Sequence, residues 1–294
     1  MMEETSPLLE PELLARLGAL RVRSRGRVSG ALVGKHRSKR HGSSVEFAEH
    51  KEYSPGDDTR RLDWKAYAKV DRYYIKQYED EINLRAYMIL DSSGSMGYGE
   101  GNHGKLRHGS RLAAALAFLL LREQDSVGLI AFKDQTTHYS PPRGEKGYLN
   151  ELNRTLLTLI PEGETQLKSG LQTVLEVARQ RSLVVVISDL FETGEEYLQT
   201  LAQISKRHEV ALLHVLHQDE LTFPFEKMHI FREMEGSGEL IAEPASVRES
   251  YLKEMNEFLE RTKSFCANHG IRYQQTETGE PIDRQLSLLL SEVG

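Results

Sequence analysis

Two short runs of strand-forming residues, 87–90 (Tyr-Met-Ile-Leu) and 183–187 (Leu-Val-Val-Val-Ile), constrain the fold of this chain more than any other feature. Runs of this kind, with no polar break, suit strands buried on both faces, as in a parallel sheet. Around them the pattern alternates. It predicts strands over 84–90, 126–132, 183–188 and 210–216, with a short edge strand over 136–139. Helices are predicted over 106–124, 148–159, 167–179 and 195–206. Such alternation implies an α/β fold: a Rossmann-like, doubly wound, mainly parallel sheet covered on both faces. After it come a hairpin over 231–241 around Gly236, Ser237 and Gly238, a helix over 251–269, a strand over 271–275 and a closing helix over 282–290.

The first 82 residues read differently. An amphipathic helix is expected over 8–20, followed by a basic arm, 21–40, that carries eight Lys or Arg residues and no acid. Pro55 and Gly56 mark a turn. Asp58 is placed to cap a helix reaching residue 69, which carries Leu62, Trp64 and Tyr67. Trp64, the only tryptophan, is expected to be a core anchor. A strand is expected over 73–78. The division is therefore an N-terminal segment, 1–82, packing on a sheet domain, 83–294, with a hairpin insertion near 225–245.

Composition narrows the function. The net charge of −6 gives no overall pull toward nucleic acid. The arm at 21–40 reads as solvated, with contact to nucleic acid or a membrane surface as the alternative. A single cysteine, Cys266, allows no intrachain disulfide. The start of the chain is acidic, which does not read as a secretory leader, so none is expected. The longest apolar run, 112–121, falls short of the roughly 20 residues that span a bilayer. These features predict a cytoplasmic protein without a transmembrane segment. No phosphate-binding Gly-x-x-x-x-Gly-Lys-Ser/Thr loop and no Gly-x-Ser-x-Gly elbow occurs.

Asp91, Ser93 and Ser95 follow the first apolar run at alternate positions, and Asp189 follows the second with one residue between. Thr165 lies in the connection before the second run. The C-terminal ends of strands in open α/β sheets are where ligands gather. Carboxylate and hydroxyl oxygens are hard donors, suited to Mg²⁺, with Mn²⁺ or Ca²⁺ as alternatives. Five side chains with only two charges would leave a dication electrophilic, open to a carboxylate of another molecule. This reading requires the five donors to converge and the opening to be clear of the chain's own ammonium or carboxylate groups.

The pattern Asp-x-Ser-x-Ser, then Thr, then Asp resembles the metal-ion-dependent adhesion site of von Willebrand factor A domains. Asp91, Ser93, Ser95, Thr165 and Asp189 match it in full. A second resemblance narrows the first. Gly34, His36 and Ser38, then Gly42, Glu46 and Phe47, then Tyr53, Pro55, Gly56, Asp57, Asp58, Arg60, Asp63 and Trp64 look like the signature of the domain-of-unknown-function family 58. Lys76, Glu79, His214, Glu220 and Pro224 fit it too, and His217 stands where that family commonly has Asp. The resemblance implies a von Willebrand factor A-like domain and divalent-metal-dependent protein binding. It also implies partnership with a MoxR-type AAA+ ATPase or its client, without catalysis by this chain. An alternative is a metal-dependent phosphohydrolase with Asp91 as nucleophile. That chemistry needs a second acid two residues on, where this chain has Ser93.

Overall fold

The computed structural model describes residues 7–20, 45–54, 59, 62–70, 72–80, 84–133, 136–145, 147–192, 194–226, 229–232 and 239–291. The basic arm at 21–40, the turn at 55–58 with Asp57 and Asp58, Arg60, and the hairpin tip at 236–238 lie outside these residues. The chain divides into two compact units, 25–83 and, together, 1–24 with 84–294. Helix α1 (Pro11–Leu17) therefore belongs to the sheet unit rather than to a single body running from 1 to 82. The cause is burial: Leu8, Leu9, Leu13 and Leu17 all lie in the core of the sheet unit.

In the smaller unit, β1 (Val45–Glu52) pairs antiparallel with β2 (Tyr74–Asp80), with a bulge between Phe47 and Glu49. Strand β1 has no counterpart in the sequence reading. Helix α2 (Trp64–Val70) starts later than expected, with Asp63 directly before its first turn. The Asp63 Oδ1 accepts the Ala66 amide at 3.2 Å, an N-cap bond. Trp64 is not a core anchor. It is 65% exposed and stands edge-on to Tyr67, which stacks on Tyr73 at 4.5 Å.

The sheet of the larger unit comprises β3 (Arg85–Asp91), β4 (Ser126–Lys133), β5 (Thr136–Arg143), β6 (Leu183–Ser188), β7 (Glu209–Leu216) and β10 (Arg272–Glu277). Their order is β10-β7-β6-β3-β4-β5, parallel throughout except for the antiparallel edge strand β5. Pro141 and Pro142 sit in β5 at that edge, where a missing amide donor is tolerated. Side chains alternate between two cores. Ala86, Met88, Leu90, Val185 and Ile187 face α1, α3 (Lys105–Arg122), α4 (Tyr148–Thr158) and α9 (Ile282–Ser291). Tyr87, Ile89, Val184 and Val186 face α5 (Leu167–Val177), α6 (Glu196–Ser205) and α8 (Pro244–Asn268). The fold is the expected doubly wound α/β sheet. Arg111 and Arg122 of α3 bind carbonyls of residues 8, 17, 18 and 20, tying the N-terminal helix down.

Two smaller elements follow the sheet. A five-residue helix, α7 (Gln218–Thr222), comes directly after β7. The hairpin strands β8 (His229–Arg232) and β9 (Glu239–Ala242) pair antiparallel, Ile230 opposite Ile241. No helix among the described residues is long and apolar enough to cross a membrane.

The sheet order reverses at β3. Strand β4 follows on one side, and β6 returns to the other. A crevice opens at the carboxyl ends of two strands where the winding changes direction. Asp91 ends β3 and Asp189 follows β6, so both acids stand at that switch point.

Candidate metal centre

The register pairing Leu90 with Ile187 brings Asp91 level with Ser188 one step further along. The Ser188 hydroxyl donates to Asp91 Oδ2 at 2.7 Å, and the Ser93 amide donates to Oδ1 at 2.9 Å. Beyond Asp91 the chain turns over the top of β4. The amide and hydroxyl of Ser92 both donate to the Phe132 carbonyl at 2.9 Å. A second loop is stitched to this one: Gly94 donates to the Gly163 carbonyl at 2.8 Å, and Glu162 to the Ser92 carbonyl at 3.2 Å. Gly163 has φ of +79°, a conformation that favours glycine and turns its carbonyl toward Gly94.

This stitching delivers Thr165 to the site. Its hydroxyl donates to Ser93 Oγ at 2.8 Å, and Ser93 Oγ lies 3.1 Å from Ser95 Oγ. Asp91, Ser93, Ser95 and Thr165 thus form one buried, hydrogen-bonded group. Four of the five expected donors are thus brought together.

Asp189 is also fully buried, and its charge is close enough to act on Asp91. Its carboxylate already has a cation, however. Lys105 Nζ lies 2.6 Å from Asp189 Oδ2 and 2.7 Å from Glu220 Oε1. The other oxygen, Oδ1, accepts the Phe191 amide at 3.2 Å. The expectation that the opening is clear of the chain's own ammonium is therefore not met on the Asp189 side.

Lys105 is 1% exposed. Burial pushes its pKa down, but Asp189 and Glu220 outweigh that, and the net shift is upward. It is held as an ammonium. Asp91 is also raised, but there the shift favours the neutral form: burial first, then the charge of Asp189, raises its carboxyl to about 7. Asp189 and Glu220 thus share one ammonium, and Asp91 is a third buried carboxylate beside Asp189. Two negative charges are in excess when all three are ionised. A dication matches that excess in sign and size, and the oxygen donor set suits a hard one. In donor chemistry the Asp91 side fits the implied metal, whereas on the Asp189 side a metal would have to displace the Lys105 ammonium.

Residues outside the expected donor set hold the site's shape. Ser188 orients Asp91, and its hydroxyl accepts the Leu190 amide at 2.9 Å. Leu190 has φ of +60°, a strained value for a branched residue, directly after Asp189. His214 Nε2 lies 2.9 Å from the Asp189 carbonyl, so this nitrogen is the donor, and Nδ1 accepts from the Tyr273 hydroxyl at 2.9 Å. Burial lowers His214 to about 4 and keeps it neutral. His217 has a structural use: its Nδ1 accepts the Asp219 amide, and Glu220 Oε2 accepts the His217 amide at 2.7 Å, a capping box that starts α7. That box aims the other Glu220 oxygen at Lys105.

The glycine-rich connection around Ser95 has defined structure. It makes two 3-10 turns, Gly94–Gly97 and Gly101–His103, before α3 begins. Tyr98 ties it to α7 through Asp219 Oδ2 at 2.9 Å. Gly109 lies inside α3, where an added Cβ would meet Leu90 at 3.0 Å and Ile187 at 3.2 Å. Its missing side chain lets the helix approach both site strands. His108 is likewise in α3, buried against Gln285, and takes no part in the site. Cys266 is buried in α8, with its thiol raised to about 12 by burial, which suits a packing role.

Comparison with known proteins places this geometry in context. A family described as "Protein of unknown function DUF58" matches residues 49–260. The uncharacterized protein Rv1480 of Mycobacterium tuberculosis H37Rv is 26% identical over 219 residues, 73% of this chain and 68% of the relative. The uncharacterized protein Mb1516 of Mycobacterium bovis matches to the same extent. Among solved structures, the conserved hypothetical protein BatB of Bacteroides thetaiotaomicron covers 71% of this chain and 98% of its own, at 16% identity and a TM-score of 0.46. The VWA domain of SpRpn10 covers 70% and 95%, at 11% identity and a TM-score of 0.39. At such scores the fold assignment stands on strand order and polarity.

Proposed function

We propose that this chain, which belongs to the DUF58 family of proteins of unknown function, is a non-enzymatic adaptor whose protein binding depends on a divalent metal. Asp91, Ser93, Ser95 and Thr165, with Asp189, would hold Mg²⁺, and Mn²⁺ or Ca²⁺ suits the same donors. The bound ion would supply an open coordination position for an acidic side chain of the partner. The observation that carries this reading is the buried group at the switch point: converging hydroxyls around a carboxylate whose neighbours leave negative charge in excess. A buried charge of that kind is costly unless a counter-ion accompanies it.

The chain's own residues prepare that position. Ser188 and the Ser93 amide fix both Asp91 oxygens. Thr165 is brought in by the stitched loops, and His214 fixes the backbone of Asp189. The lack of a second acid two residues after Asp91 supports binding over phosphoryl transfer, because Ser93 has no carboxyl to serve as general acid. The family resemblance suggests as partner a MoxR-type AAA+ ATPase or a client of one.

The test is the affinity of the purified chain for a MoxR-type ATPase, measured by biolayer interferometry in Mg²⁺ and in EDTA. Binding should require Mg²⁺ and be lost in Asp91→Ala. Equal binding in EDTA, or by a folded Asp91→Ala variant, would reject the adaptor reading.

A further inference from the structure

Lys105 is an unusual group to find at the opening of a metal site. It begins α3, and its Nζ bridges Asp189 and Glu220 at 2.6 and 2.7 Å. The ring of Phe191 lies 5.0 Å from the ammonium. Its two carboxylate partners come from different elements, the end of β6 and the helix after β7. Glu220 is fixed independently by its capping box, and Tyr251 donates to its backbone carbonyl at 3.1 Å. The ammonium therefore has a second anchor that does not depend on Asp189.

We infer that Lys105 is a tethered counter-ion, held by Glu220, that occupies Asp189 in the metal-free protein and competes with the divalent ion for that carboxylate. The inference rests on the metal-binding reading above and deepens it. A cation joined to the chain acts at high effective concentration and needs no ion from solution to neutralise Asp189. It keeps the site folded when metal is scarce, and metal uptake must work against it. Glu220 offers the ammonium a place to remain when Asp189 is drawn to the metal. Lys105 is thus a positioning residue that sets the site's metal affinity, without being a metal ligand.

The experiment is calorimetric titration of the full chain with MgCl₂, comparing wild type with Lys105→Met, a neutral side chain of similar length. The variant should bind Mg²⁺ at least about tenfold more tightly. A merely structural lysine predicts the opposite, weaker or equal binding, and that result would overturn the inference. If Lys105→Met is unfolded in EDTA, the midpoint of Mg²⁺-induced refolding is read instead. The intrinsic dissociation constant, obtained from that midpoint after the unfolding equilibrium is divided out, should lie below the wild-type value, and a constant equal to or above it counts against the tether. In wild type, the ¹⁵Nζ resonance that disappears in Lys105→Arg should shift on Mg²⁺ saturation, and an unmoved resonance would contradict competition. If wild type binds Mg²⁺ and Lys105→Met binds no tighter, only the tether falls. If neither binds, the metal reading falls with it.

Discussion

The two halves of the site solve the same electrostatic problem by different means. On one side, Asp91 accepts from neutral donors, the Ser188 hydroxyl and the Ser93 amide, next to the linked hydroxyls of Ser93, Ser95 and Thr165. Its charge is solvated but not cancelled, and its carboxyl is raised to about 7. On the other side, Asp189 has a full positive charge at 2.6 Å. The contrast teaches that dipoles alone do not settle a buried carboxylate beside another one. The half without a cation is the half that calls for one.

The largest expected effect lies on the ammonium side. Lys105→Met leaves Asp189 and Glu220 buried without their cation, and removal of one partner from a buried pair costs about 3–5 kcal/mol. Urea denaturation in EDTA should show that loss, and a loss near zero would mean that the pair does not stabilise the rim.

Acid should attack the same half next. His214 sits near 4 in the folded protein, against an ordinary value of 6.5. The unfolded chain takes up the proton first, so the stability from neutral His214 is complete above pH 6.5 and is lost as pH falls through about 4. The drop should approach about 3 kcal/mol. Denaturation midpoints at pH 7.5 and 4.5 should diverge in wild type and draw closer in His214→Gln. An unchanged divergence would detach His214 from the effect.

Motif matching gives Lys105 no place and His214 no role, and the reason is physical. Asp91, Ser93 and Ser95 lie on one short stretch after an apolar strand, so their grouping is legible in the chain itself. Asp189 is legible for the same reason, through the run 183–187. Thr165 becomes a site residue only through amide bonds between two loops, and motif resemblance supplied it. Lys105 and Glu220 are 115 residues apart. Nothing local in either marks a buried pair: one begins a helix and the other completes a cap. The fold divides similarly. The continuous apolar runs announce the parallel sheet, whereas β1 lacks such a run, and its antiparallel partner lies beyond an intervening helix. Trp64 misled because size suggests burial, while its place is an exposed helix start.

Smaller effects belong to the hydroxyl side. Ser188→Ala removes a bond to Asp91 from outside the donor set and should weaken Mg²⁺ binding about tenfold, within the range for groups that orient metal ligands. Calorimetric titration would show it, and unchanged affinity would make Ser188 a bystander. The smallest change is expected for Asp91→Asn in EDTA. The amide removes a poorly compensated charge, so metal-free stability should stay within about 1 kcal/mol of wild type. A loss as large as that of Lys105→Met would erase the distinction between the halves.

The account depends on the hydroxyl half taking up a divalent ion, and Mg²⁺ titration of wild type beside Asp91→Asn asks this most directly. Wild type should show one saturable site, and Asp91→Asn, equally folded by circular dichroism, should bind at least about 100-fold more weakly. A wild-type protein without saturable binding, or a variant that binds as well, would contradict it.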